Sequence, residues 1–346
     1  MRTEITAIIS WRVATTRLLF LSVGCLLGTT LLVTPNAVGQ TRHEALGTVA
    51  SSTAANVPSN VVLGPMTPLA GGIANASYAT GGKGMRNQAA AGIVISGANK
   101  PIKAAVIYWA VITNGSPTAA DQSVIVQRLF PTPASAAVTV TGTAVGSGPQ
   151  PCWSGTTITV YRGTIPFTVA TGNGSYQVTL KPGASGTTKG ANPWVAGSLP
   201  LFEGASIVLV GTGTGTVAIY DAGLSGTTFN TTLTYSLILP ATASGRLTLW
   251  DNIGADGQQG TSRTSLIAKE KTTINGHAVA GPGSAYNDSD WNGSAGYPLP
   301  QLWDDTGHDV TAAAPAGTTN LNVVFKTNDG AMPDCLTPVA NIVEVH

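Results

Sequence analysis

The chain has 346 residues, a formal net charge of +1 and only 10% charged residues, against 42 glycines. With no block of basic residues it makes a poor nucleic-acid partner, and so few Lys and Glu leave little material for long solvent-facing helices. Short strands joined by Gly-rich turns fit this composition, at a length sufficient for one large domain or two small ones.

The N-terminus reads as an export signal. Arg2, Arg12 and Arg17 precede the apolar run Leu18 to Val33, and Ala37-Val38-Gly39 supplies small residues for cleavage. That run is shorter than the ~20 residues of a membrane-spanning helix. Ser22 to Cys25 loosely resembles a lipoprotein box, although a serine stands where a large aliphatic belongs. We expect residues 1–39 to be a signal peptide and residues 40–60, small and polar, to be a flexible leader. Removing Arg2, Arg12, Arg17 and Glu4 from the 17 basic and 16 acidic residues leaves 14 and 15, a nearly neutral exported protein.

Strand signals follow one another from there. Residues 104–113, AAVIYWAVIT, are apolar throughout and suit a strand covered on both faces. Segments 123–130, 136–145, 156–169 and 174–182 alternate more clearly. Residues 205–223 read as a hairpin around the Gly-rich turn 211–215. Segments 231–240, 245–253, 264–279, 319–329 and 339–346 complete about eleven strands. Without interleaved helices they predict a single antiparallel β-sandwich or jelly roll over residues 61–346.

Chemistry-bearing residues concentrate late in the chain. Nine aspartates lie between positions 251 and 334, in or beside turn dipeptides such as Asp256-Gly257 and Asp329-Gly330. Asp accepts hydrogen bonds from backbone N–H groups in turns, and this accounts for most of them. The sharper reading is a Ca²⁺ site built from Asp251, Asp256, Asp304, Asp305 and Asp309, since Ca²⁺ takes six to eight oxygens from such loops. No EF-hand spacing, zinc motif or nucleophile elbow is present, and nothing selects a catalytic carboxylate pair. Trp291 and Trp303, placed near expected loops, are candidates for stacking on a sugar ring, with core packing as the plainer role. Loss of Cys25 with the signal leaves Cys152 and Cys335, an even count that favours a disulfide in an exported chain, with two buried thiols as the alternative.

Several stretches also occur together in a recognisable order: NASYATGGKGMRN before KAAVIYWAVI, then PCWSGTTITVYRGTIPFTV, GASIVLV, GADGQ, LWDDTGHDVT and DCLTPVANIVEV. The set resembles a family of uncharacterised secreted or surface-exposed β-sandwich domains of bacterial and archaeal cell-envelope proteins, over residues 60–346. The resemblance implies an extracellular, non-catalytic domain of structural or adhesive role, with envelope components or glycans as partners. It also implies that Trp303-Asp304-Asp305 and Asp309-Val310-Thr311 form a turn into the penultimate strand. A carbohydrate-binding or carbohydrate-cleaving sandwich is the alternative.

Overall fold

A computed structural model describes residues 60–63, 66, 68–86, 88–153, 155–182, 184, 199–223, 226–229, 231–256, 271–281, 302–327 and 335–346. The signal peptide, the leader, Trp291 and the turn residues Asp288, Asp290, Asp329 and Asp334 lie outside them. The described residues are all-β, as the composition suggests, and form three sheets.

The first sheet runs β3 (Ala90–Ile95), β9 (Gly174–Leu180), β5 (Ser123–Phe130), β6 (Val138–Thr141). The central sheet runs β16 (Trp303–Asp309), β13 (Thr248–Ala255), β18 (Cys335–Val345), β10 (Leu201–Asp221), β4 (Ala104–Thr113), β8 (Thr157–Thr164), β7 (Thr143–Pro149), with β2 (Ile73–Gly84) paired to β10 and β11 (Thr228–Phe229) to β18. The third runs β1 (Asn60–Val62), β12 (Thr232–Ile238), β17 (Asn320–Lys326), β14 (Lys271–Ile274), β15 (His277–Ala280). Pairing is antiparallel except between β1 and β12.

Side-chain alternation explains which faces are covered. In β9, Tyr176, Val178 and Leu180 point inward and the residues between them are half-exposed, as in a sheet with one wet face. Strand β18, CLTPVANIVEV, is buried along its whole length. It lies in the central sheet, which contributes to three cores. Ile107, Trp109, Ile207 and Leu209 pack with the first sheet. Trp250, Val343, Ala218 and Tyr220 pack with Tyr235, Leu321 and Phe325 of the third. Between these lies a core made by the central sheet alone, where Tyr108, Ala110, Val208 and Val210 meet Ile219, Ile253, Ala340 and Ile342. The central sheet therefore folds over onto itself, and two sandwiches share it.

Strand β10 makes this possible, and here the expected hairpin is corrected. Residues 201–221 form one strand, pairing with β4 through its first half and with β18 through its second. The glycines at 211–215 mark a bulge in its pairing with β2, not a reversal. A Cβ on Gly213 would stand 2.5 Å from the backbone of Ala76 and Ser77, so the passing strand β2 excludes a side chain there. Across the bulge the residues facing the central core change from even numbers (Val208, Val210) to odd (Val217, Ile219).

Other boundaries also differ from expectation. The segment 264–279 contains a hairpin, β14–β15, whose turn residues Asn275 and Gly276 have φ of 48° and 82°. Both values being positive is what a two-residue hairpin loop of this hand requires. The 136–145 segment divides into β6 and β7, separated at Gly142, where a Cβ would strike the Trp109 ring at 2.4 Å. Segment 303–309 is a strand, β16, not the expected turn.

Candidate functional site

Two cysteines and a buried ion cluster meet at one end of the central sheet. Cys152, just after β7, is joined by a disulfide to Cys335 at the start of β18, with Cα atoms 6.6 Å apart and a sequence separation of 183. The expected pairing is therefore present. Residues flanking both cysteines converge on Asp256, the residue that follows β13.

Local backbone fixes each of them. Asp256 has φ 74°, a left-handed conformation uncommon outside glycine but more tolerable to Asp than to branched residues. Its N–H donates to the carbonyl of Leu302 at 3.0 Å. Gly226, at φ 68°, lies so close to β7 that a Cβ would stand 2.5 Å from Gly148 carbonyl carbon. The next residue, Thr227, then donates its N–H to Pro149 at 2.9 Å, which sets its hydroxyl beside Gln150.

The carboxylate of Asp256 is almost enclosed in donors. Oδ1 accepts from Trp153 Nε1 at 2.8 Å. Oδ2 accepts from Gln150 Nε2 at 2.7 Å, Thr337 Oγ1 at 2.9 Å and Thr227 Oγ1 at 3.2 Å. The hydroxyls of Thr227 and Thr337 are themselves 2.6 Å apart. Gln150 is held at its other end, where Oε1 accepts the Cys152 N–H at 2.7 Å, and this settles which end of its amide is nitrogen.

Arg86 lies on the far side. Its guanidinium stacks on Trp153, 4.2 Å from the ring centroid, pairs with Glu203 through Nε and Nη2, and brings Nη2 within 4.0 Å of Asp256 Oδ1. Arg86, Glu203 and Asp256 are all buried. Burial pushes the Glu203 carboxyl up to about 8, with Arg86 pulling it down and Asp256 adding to the rise. Burial likewise raises Asp256, opposed by Arg86 and by the hydrogen bonds of Thr337, Trp153 and Thr227. Among the described residues, Arg86 Nη1 and Glu203 Oε2 find no hydrogen-bond partner. Charges so placed are costly unless paired, and here two acids share one cation.

The remaining aspartates go elsewhere. Asp251 on β13 accepts from Thr80 Oγ1 at 2.9 Å, and Asp305 on β16 lies across β2, where a Cβ on Gly82 would meet it at 2.8 Å. Burial lifts the Asp305 carboxyl to about 6, against hydrogen bonds from Ser206 and Thr80. Glu344 joins them, accepting the Tyr78 N–H at 3.3 Å and pairing with His346 at 2.6 Å. Tyr78 is raised well above its ordinary range by burial and by Asp251, Glu344 and Asp305. Asp304, buried, precedes Asp305 on β16 and so points to the opposite face of the sheet. Asp309, exposed, accepts from the N–H and hydroxyl of Thr311, which hold its carboxyl below the usual range.

The five aspartates proposed as Ca²⁺ ligands are thus distributed over four places, and among the described residues no three His, Cys, Asp or Glu side chains are grouped to hold a metal ion. Asp251, Asp304, Asp305 and Asp309 belong to strands rather than to loops. Trp303 is corrected as well. It is fully buried and donates Nε1 to Ser206 at 2.9 Å, so its ring offers no face to a sugar.

Arg86, Glu203, Gln150, Thr227 and Thr337 were not singled out from the sequence. One signal was legible: Glu203 is a lone acid in LFEGASIVLV, a run otherwise fit for the interior.

No family model matches the chain, and no curated protein does. Among solved structures, the ANX2 ectodomain from Arabidopsis thaliana aligns at a TM-score of 0.25 and 10% identity, covering 79% of this chain and 89% of that one. The CUB1-EGF-CUB2 segment of human MASP-1/3 aligns at a TM-score of 0.17 and 8% identity, covering 80% and 97%. The chain is an all-β, disulfide-linked antiparallel sandwich protein with a buried ion cluster beside the bridge.

Proposed function

We propose that this is an exported protein of structural or adhesive role at the cell envelope, acting through its shape and surface rather than through turnover of a substrate. The observation that carries this reading is the Cys152–Cys335 bridge. Disulfides persist where the surroundings are oxidising, and this one spans most of the folded chain. The signal-like N-terminus and the resemblance to envelope β-sandwich domains support the same reading. The polar groups near the bridge serve one another, and Trp303 is taken up in packing. Envelope components or glycans are the partners it implies.

Expression of the full chain with its own N-terminus tests this reading. The protein is expected outside the cytoplasm, beginning near Gln40, with Cys152 and Cys335 in one linked peptide under non-reducing conditions. Cytoplasmic material carrying both thiols free and residues 1–39 intact would overturn it.

A further inference from the structure

We propose that Thr227 and Gln150 are joined by a self-formed side-chain ester, a second covalent link beside the disulfide. The proposal rests on the arrangement of atoms around Asp256 and not on where the protein acts.

An amide is a poor acceptor for an alcohol unless four conditions meet. The hydroxyl must lie against the amide, a base must take its proton, a donor must hold the developing oxyanion, and an acid must protonate the departing nitrogen. All four are present. Thr227 Oγ1 is 2.8 Å from Gln150 Nε2, so the hydroxyl lies in direct contact with the amide. The same hydroxyl is 3.2 Å from Asp256 Oδ2, the base, and 2.6 Å from Thr337 Oγ1, which is 2.9 Å from Oδ2 and offers a second path for the proton. The Cys152 N–H, 2.7 Å from Gln150 Oε1, already points at the oxygen that would become negative. Asp256 Oδ2 is 2.7 Å from Nε2, placed to return the proton to the leaving group.

The step balances without a further reactant. Thr227 Oγ1 bonds to the side-chain carbonyl carbon of Gln150 while Asp256 takes the hydroxyl proton. The tetrahedral intermediate, its oxyanion on the Cys152 N–H, collapses with rupture of the C–N bond. Asp256 hands its proton to the nitrogen, and ammonia leaves. The carboxylate is regenerated and an ester links residues 150 and 227.

Surroundings favour the product. Gln150, Thr227, Asp256 and Thr337 are each at most 3% exposed, so the water that would hydrolyse the ester is excluded. A carboxylate whose proton affinity is raised by burial accepts a proton more readily than one in water. Arg86 near Oδ1 keeps that rise in check, and Trp153 on Oδ1 leaves Oδ2 for the proton transfers. The left-handed backbone at Asp256 is the kind of local strain that collects at reactive sites.

Mass spectrometry of the purified full chain, denatured and reduced, tests the proposal. The expected mass falls short of that calculated from the N-terminus actually present by one ammonia. Tryptic mapping should find the peptide with Gln150 attached to the peptide with Thr227, and hydroxylamine should separate them, leaving a hydroxamate at position 150. Thr227→Ser should keep the link, whereas Thr227→Val and Asp256→Asn should show the full mass. If either variant fails to fold, the map of the unaltered protein still decides. An intact Gln150 amide at full mass, a glutamate at 150 without a link, or a link to Thr337 in place of Thr227 would each overturn the proposal.

Discussion

Around Asp256, Trp153, Gln150, Thr227 and Thr337 donate to the carboxylate, and an arginine stands behind it. Around Asp251 and Asp305, on the same sheet, the carboxylates share the hydroxyl of Thr80, and a neighbouring acid, Glu344, leans on a histidine at the last residue. Both places bury acids in one central sheet, yet they solve the cost differently. The first sets a fixed cation and many donors against two acids, and even so burial carries Glu203 up to about 8. The second relies on hydroxyl donors, and burial carries Asp305 only to about 6. The difference teaches that both ends respond to pH in separate windows, the bridged end around neutrality and the other in mild acid.

The largest effect expected from breaking this contrast is at Arg86. Arg86→Met leaves Glu203 and Asp256 buried without their cation and should cost about 3–5 kcal/mol in urea unfolding. Arg86→Met combined with Glu203→Leu should recover a large part, because the uncompensated acid goes too. A double variant no better than the single one would mean that the pair is not energetically coupled.

Next comes the bridge. Cys152→Ser with Cys335→Ser should cost about 2–4 kcal/mol, toward the upper part of the usual range because the closed loop is long. A midpoint unmoved by the exchange, or by reductant, would show that the tie between β7 and β18 adds nothing.

Trp153→Phe should be milder, about 1–2 kcal/mol, since the ring still stacks on Arg86 and only the hydrogen bond to Asp256 is lost. Asp305→Asn is the smallest and has the opposite sign. A carboxyl near 6 in the folded protein and near 4 when unfolded binds more protons folded than unfolded across that window. Stability therefore falls as pH rises from about 4 to about 6, and the Asn variant should flatten this slope and gain roughly 1 kcal/mol at pH 7. A slope of unchanged steepness in the variant would assign the titration to another group.

How much of this was legible in the sequence depends on the range of the interaction. Strands β4, β5, β9 and β17 follow from alternation or continuous apolar runs, which report on burial within a few residues. Strand β2, with its Gly-Gly-Lys-Gly stretch, gives no such signal, because its glycines are there for the close approach of other chain segments: a Cβ on Gly81 would meet Val94 O at 2.6 Å. Aspartate looked like a turn former because turns are where it usually finds donors. Here Asp251 finds Thr80 of β2, 171 residues earlier, a partner that no local pattern announces. The Asp256 cluster draws on positions 86, 150, 153, 203, 227 and 337, and only the pairing of two cysteines hinted that this part of the chain closes on itself.

The bulge in β10 behaves like a shift of reading frame. Before it, one set of alternate residues is read by the central core; after it, the other set is, with Tyr220 and Ala218 turned to the third sheet and Ile219 kept inside. Removing one residue between 212 and 215 would make the alternation unbroken, so that Val217 and Ile219 still face the central core and Tyr220 keeps its hydrogen bond to Ile238 O at 2.6 Å without a bulge. Removing two would bring the mismatch back, and unless the bulge stays Ile219 and Tyr220 exchange faces, which places the tyrosine hydroxyl in an apolar layer without that acceptor. Chains that share this architecture should therefore vary in length here by even steps where the bulge is kept and by odd steps where it is lost.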